Sequence, residues 1–247
     1  MNRLRYPFFA ALLGLGIWQG LVWITAAPHF ILPSPLRVAK AGFENRGLIA
    51  EHAWVTASEV ALGLLIGSVL GAITAIQLAA SPKLARLALP LLVFTQAVPV
   101  FALAPILTVW FGYGMASKIA MAVLIIYFPV TSAFHDGLMR VPPALLDLAQ
   151  TLGASKARTM RRIKIPHALP SLASGLKLAA VYAPIGAVIG EWVGSSKGLG
   201  YLMLLANGRA KVDLMFASLI ALAVLTVLLH KAVSLLAQRL TAISQAS

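Results

Sequence analysis

Apolar residues run through this chain in long blocks rather than alternating with polar ones. A membrane-crossing helix needs about 20 apolar residues to span about 30 Å of hydrocarbon. Six blocks meet that length, at residues 8–27, 56–80, 87–111, 118–134, 171–192 and 214–237, the fourth being the shortest. The pattern predicts an all-α integral membrane protein with six transmembrane helices, filling residues 1–247 as one transmembrane domain. The first block follows Arg3 and Arg5, as the apolar core of a signal peptide would. Its run is longer than the usual core of about 7–15 residues, so a retained first helix is expected.

Two blocks carry internal detail. In the second, Gly63, Gly67 and Gly71 recur every four residues and therefore share one helical face. Small residues let a second backbone approach closely, which is how helices associate in lipid; a hinge is the other reading. The third holds Pro90, Pro99 and Pro105. Each proline removes a backbone donor and disturbs the preceding turn, so a non-ideal helix packed inside protein is expected.

Composition agrees with a lipid setting. Hydrophobic residues make up 60% of the chain and charged ones 11%, against about 45–50% and about 25% in soluble domains. The net charge of +13 first suggests nucleic acid. That reading fails once the cations are located, because most sit in short segments between apolar blocks. Thirteen of the twenty lie on one side: Arg3, Arg5, Lys83, Arg86, Arg140, Lys156, Arg158, Arg161, Arg162, Lys164, Lys177, Lys231 and Arg239. Arg37, Lys40, Arg46, Lys118, Lys197, Arg209 and Lys211 fall on the other. The positive-inside rule then places both termini in the cytoplasm. With no cysteine there is no disulfide, thiol nucleophile or cysteine-metal site,.

The longest inner segment, 135–170, holds the most specific pattern. Residues 144–152 follow Pro142 and Pro143 and place Leu145, Leu148, Ala149 and Leu152 on one face,. Gly153 breaks that helix, Ser155 caps a second one running through Arg162, and Pro166 helps to end it,. A helix-turn-helix along the inner membrane face is predicted. Its basic cluster suits anionic headgroups, while its apolar face and glycine turn suit a protein groove.

Asp147-Leu148-Ala149, then Gly153-Ala154, Ile163, Ile165-Pro166 and Pro170 resemble the EAA loop of type I ABC-importer permeases. The family pattern is Glu-Ala-Ala, three residues, glycine, and later a hydrophobic-proline pair. Asp147 stands where glutamate is usual, and Leu148 where alanine is usual. Ile189-Gly190-Glu191-Trp192 and Ser196-Lys197-Gly198-Leu199-Gly200-Tyr201 look like the nitrate, sulfonate, taurine and pyrimidine-precursor branch. The resemblance extends over spans two to six and implies the type I permease fold. It implies that residues 144–156 form a coupling helix, with Asp147, Leu148, Ala149, Leu152, Gly153, Ala154 and Pro166 meeting a cytoplasmic ABC ATPase dimer. It also implies a second permease copy, most simply a homodimer, and an extracytoplasmic solute-binding protein. ATP and magnesium would bind the ATPase, leaving this chain without catalysis or cofactor. The cargo would be a small polar organic solute moved by alternating access, with a thiamine-precursor pyrimidine ahead of sulfonates, taurine or nitrate.

Polar groups within apolar blocks are costly and mark candidate path residues. Glu191 lines an outer gate or meets the binding protein, or else lies at the water interface with Trp192 in the aromatic belt,. Glu59 reads as a solvated span end, and Lys177 as snorkelling to inner headgroups,. Gln96 beside Pro99 either contacts solute or bonds another helix,. Tyr182 and Pro184 flank the route or simply pack. Gly194-Ser195-Ser196-Lys197-Gly198 has the wrong glycine-to-lysine spacing for a phosphate loop and reads as an external turn,. The five histidines lack metal-ligand spacing,.

Three other classes compete. An ion-gradient-driven secondary transporter would show buried acids or histidines along an ion path and paired repeats, and no repeat is visible. A membrane enzyme would gather acids or histidines at one depth. A structural scaffold would not account for the EAA-like loop.

Overall fold

The computed structural model describes residues 5–246, so Arg3 of the inner cation tally lies outside the described residues. Every regular element described is helical. Helix α1 (Arg5–Thr25) leads through Pro28 to the short α2 (Pro35–Glu44), which Ser34 caps. Then follow α3 (Arg46–Ala80), α4 (Pro82–Ala97), α5 (Val100–Phe111) and α6 (Met115–Met139). Beyond them come α7 (Pro143–Thr151), α8 (Lys156–Thr159) and a wide π turn at Met160–Lys164. The chain closes with α9 (Ile165–Gly194), α10 (Leu199–Gly208) and α11 (Val212–Ala246).

The expected six membrane-spanning helices are not present among the described residues. Four helices there are long and apolar enough to cross a membrane, or five if one bent pair counts as a span. The first expected span is not one of them: the described apolar stretch of α1 is Phe9–Thr25. It stops where Ala26 takes a positive φ of 46° two residues before Pro28. The third expected span is two helices, α4 and α5, meeting at 98°. Pro99 sits at that break with extended backbone (φ −61°, ψ 114°), while Pro90 and Pro105 lie inside the two halves. Of the three prolines, only Pro99 stands where the chain turns.

The loop differs from expectation as well. Pro166 does not end a second short helix. Residues Lys156–Gly194 form one continuous helical path of 39 residues, including the π turn. Pro166 lies within that path, directly after the π turn, and does not interrupt it.

The core is built around α6, which packs most extensively against α9 and α3. The glycine stripe of α3 faces α6. A Cβ at Gly67 would lie 2.6 Å from Ile126 Cγ1, and one at Gly71 3.1 Å from the Tyr127 carbonyl oxygen. On the other flank, a Cβ at Gly186 would lie 2.7 Å from Ala122 Cα. Close approach therefore explains the stripe, since dispersion contacts must replace the hydrophobic drive absent in lipid. Val60, Ile126, Val130, Ala179, Ala183 and Ala187 fill the centre. By contrast, none of the residues of α4 is buried. Helix α1 stands at the edge, where Trp18 Nε1 donates to the Pro33 carbonyl at 3.1 Å and its ring stacks on Phe216.

Candidate functional site: a leucine-bearing loop and a buried polar cluster

The α7 loop begins where Pro142 and Pro143 fix the entry to the helix, Pro143 occupying the first turn where no donor is needed,. It ends in a Schellman motif. Gly153 N–H donates to the Gln150 carbonyl and Ala154 N–H to the Ala149 carbonyl, both at 2.9 Å,. The left-handed conformation of Gly153, with φ +70°, makes that closure possible. Ser155 Oγ then accepts from Arg158 N–H at 3.3 Å and starts α8.

This geometry sorts the candidate loop residues. Ala149 is buried and anchors α7, whereas Leu148 and Leu152 are 55% and 75% exposed. Together with Pro166 these three line an apolar groove of about 280 Å³ between α7 and the start of α9. Asp147 is exposed on the same short helix. Ala154 lines a separate cavity of about 960 Å³ with Ala79, Pro82 and Lys156.

The candidate path residues do not form one cluster. Gln96 is exposed near the end of α4, its Nε2 donating to Thr95 Oγ1 at 3.4 Å. Pro99 is exposed at the α4–α5 break, and Tyr182 is 39% exposed on α9. Glu191 is 1% exposed, at the end of the bundle opposite the α7 loop.

Glu191 belongs to a buried polar cluster there. Its Oε1 accepts from the Thr56 hydroxyl at 2.6 Å, and its Oε2 accepts from Gly200 N–H. Thr56 Oγ1 in turn accepts from Leu199 N–H at 2.8 Å, and His52 Nδ1 from Gly198 N–H at 3.0 Å. The His52 ring stacks on Tyr201 at 5.9 Å. Gly198 has φ +109°, and any Cβ there would collide with the Glu191 carboxyl. The segment that looked like a failed phosphate loop thus cradles an acidic group of its own chain.

Glu59 and Lys118 complete the cluster, and both depart from expectation. Glu59 is 2% exposed rather than solvated, and its Oε2 has no hydrogen-bond partner. Lys118 is 1% exposed and so is not one of the cations of an outer loop. Its Nζ donates to the Tyr113 carbonyl at 2.6 Å and to the Gly194 carbonyl. A signal for part of this was present in sequence. His52, Thr56, Glu59 and Gly63 continue the glycine stripe at helical spacing, so they share its buried face,. Nothing in the local sequence marks Lys118.

The whole chain was also compared with known proteins. Residues 67–242 match the family described as "Binding-protein-dependent transport system inner membrane component". A "Probable ABC transporter permease protein" of Haemophilus influenzae is 50% identical over 237 residues, covering 96% of this chain and 97% of its own length. The "Formylaminopyrimidine transport permease protein ThiX" of Halalkalibacterium halodurans is 36% identical, covering 79% of this chain and 78% of its own. A solved chain of the MetNI methionine ABC transporter shares the fold, with a TM-score of 0.70 at 20% identity. That alignment covers 80% of this chain and 98% of the solved one. Coverage of this order rules out a secondary transporter and assigns ATP hydrolysis to a separate subunit. The chain belongs to the binding-protein-dependent inner-membrane component family and is the multi-pass membrane permease subunit of an ABC importer, driven by a partner ATPase.

Proposed function

We propose that two copies of this chain, each a single permease domain over residues 1–247, import a small polar organic solute delivered by an extracytoplasmic binding protein. The observation that carries the reading is the α7 helix, which holds Leu148 and Leu152 out over an apolar groove on a rigid Schellman turn. Exposed leucines next to a groove on the basic, headgroup-facing side suit a protein socket, and Asp147 adds an acid for its rim. Asp147, Leu148, Ala149, Leu152, Gly153, Ala154 and Pro166 then form the unit that an ATPase dimer grips and moves.

The second copy covers α4, none of whose residues is buried within one chain, and the exposed Phe101, Val109 and Trp110 of α5. The route runs between the copies past Gln96, Pro99 and Tyr182. Glu191 acts on it from behind, through the end of α9 that it holds. With the α7 loop cytoplasmic, α9 and α11 cross in succession and bring the C-terminal end of α11 back to the same face.

The pyrimidine transport named for the Halalkalibacterium halodurans relative makes a thiamine-precursor pyrimidine the first cargo to test, ahead of a sulfonate, taurine or nitrate. The test of the loop is recovery of the partner. Tagged wild-type chain, solubilised gently and crosslinked, should bring down a nucleotide-binding ATPase, and Gly153→Pro should not. Equal recovery with both would remove α7 as the docking element.

A further inference from the structure

Building on the permease assignment, we propose that Thr56, His52 and Lys118, acting with Glu191, are positioning residues for transport. They join α10 to α3, α6 and α9 so that the far end of the permease swings as one body.

A helix start leaves its first N–H groups without intrahelical partners, and a buried start must find them elsewhere. Helix α10 has no capping side chain of its own, because its N-cap is Gly198. Leu199 and Gly200 are fully buried, so water does not serve them. Other helices supply every partner. His52 takes the Gly198 N–H, Thr56 the Leu199 N–H, and Glu191 that of Gly200. Lys118 does the converse for α9, donating to the Gly194 carbonyl at its end and to Tyr113 in the turn before α6.

All of these bonds except the local one from Lys118 to Tyr113 join separate helices or a helix to the α9–α10 turn. Sliding α10 against α3, or α9 against α6, would strand several buried polar groups at once. The low-cost motion is therefore a concerted one. Helix α9 gives that motion a source, because the path Lys156–Gly194 runs about 58 Å from the α7 loop to the cluster,. A displacement imposed at the loop then arrives at the far end and carries α10 with it.

The chain has no cysteine, so paired labels are readily introduced. Trp54→Cys on α3 and Leu204→Cys on α10 replace exposed residues. Spin-labelled permease, diluted with unlabelled copies and assembled with its ATPase, reports this pair by pulsed dipolar spectroscopy. The proposal expects one narrow distance, unchanged within about 2 Å between nucleotide-free and ATP-vanadate states. Thr56→Val and Lys118→Met should broaden it at least twofold, and Thr56→Ser should restore it. A shift of the wild-type distance between states would overturn the proposal, as would an unbroadened Thr56→Val. The wild-type comparison decides even if the variants do not fold. ATP hydrolysis by the assembled complex checks the permease assignment separately.

Discussion

Thr56 and Glu191 stand 135 positions apart and meet through a 2.6 Å hydrogen bond from the threonine hydroxyl to Oε1. The same hydroxyl oxygen accepts from Leu199 N–H, so one side chain closes a span, a neighbouring span and a short helix. Thr56→Val keeps the shape and removes both bonds, leaving a buried acceptor and a buried donor unserved. The expected loss is about 1–3 kcal/mol, read as a lower thermal unfolding midpoint in detergent. Thr56→Ser should recover most of it. An unchanged midpoint for valine would show that the bond contributes nothing to stability.

Gly153 and Gly198 both have positive φ but sit in opposite surroundings. Around Gly153 there is open space, whereas a Cβ at Gly198 runs into the Glu191 carboxyl. Gly153→Ala should cost only the backbone penalty of about 1–2 kcal/mol. Gly198→Ala should cost more, because it also displaces a buried acid. Comparing the yield of folded protein by size-exclusion fluorescence orders the two, and a reversed order would contradict the packing described.

Close helix approach makes a second contrast. Gly67 faces Ile126 with no room for a side chain, while Gly16 on α1 has nothing within 4 Å. Gly67→Val should separate α3 from α6 and lower the unfolding midpoint markedly. Gly16→Val should leave it within the spread of replicates. Comparable losses at both sites would place α1 against a surface that this chain does not show.

Leu148 and Leu152 are exposed and contribute little to the single chain. Leu148→Asp with Leu152→Asp should change its stability by no more than about 0.5 kcal/mol, as surface substitutions do. ATPase recovery after crosslinking should fall at least about tenfold. Retained recovery would move the docking contact away from this face.

How much was legible in sequence differed by the range of the cause. The stripe at Gly63, Gly67 and Gly71 was readable because a four-residue repeat is a helical face, and the structure puts α6 against it. The first loop helix was readable because Pro143 and Gly153 act on their own neighbourhood. Pro99 was seen, but proline removes a donor without setting an angle, so its position did not reveal the 98° turn. The first span was overcounted by including Ala26 and Ala27, which are apolar but lie past the helix end. Lys118 and Glu59 each looked like a solvated span end, because the partners that bury them lie in other helices.

The π turn at Met160–Lys164 carries a geometric consequence. A π turn holds one residue more than the regular helix around it. Each residue of a regular helix rotates the chain by about 100°. The π turn therefore absorbs its extra residue within one full rotation, and removing that residue would restore uniform winding while leaving α7 at the same bearing about the axis of α9,. The compass bearing at which the leucines of α7 face their socket is thus indifferent to a one-residue deletion within the π turn, whereas the same deletion in the regular part of α9 would redirect it by about 100°,.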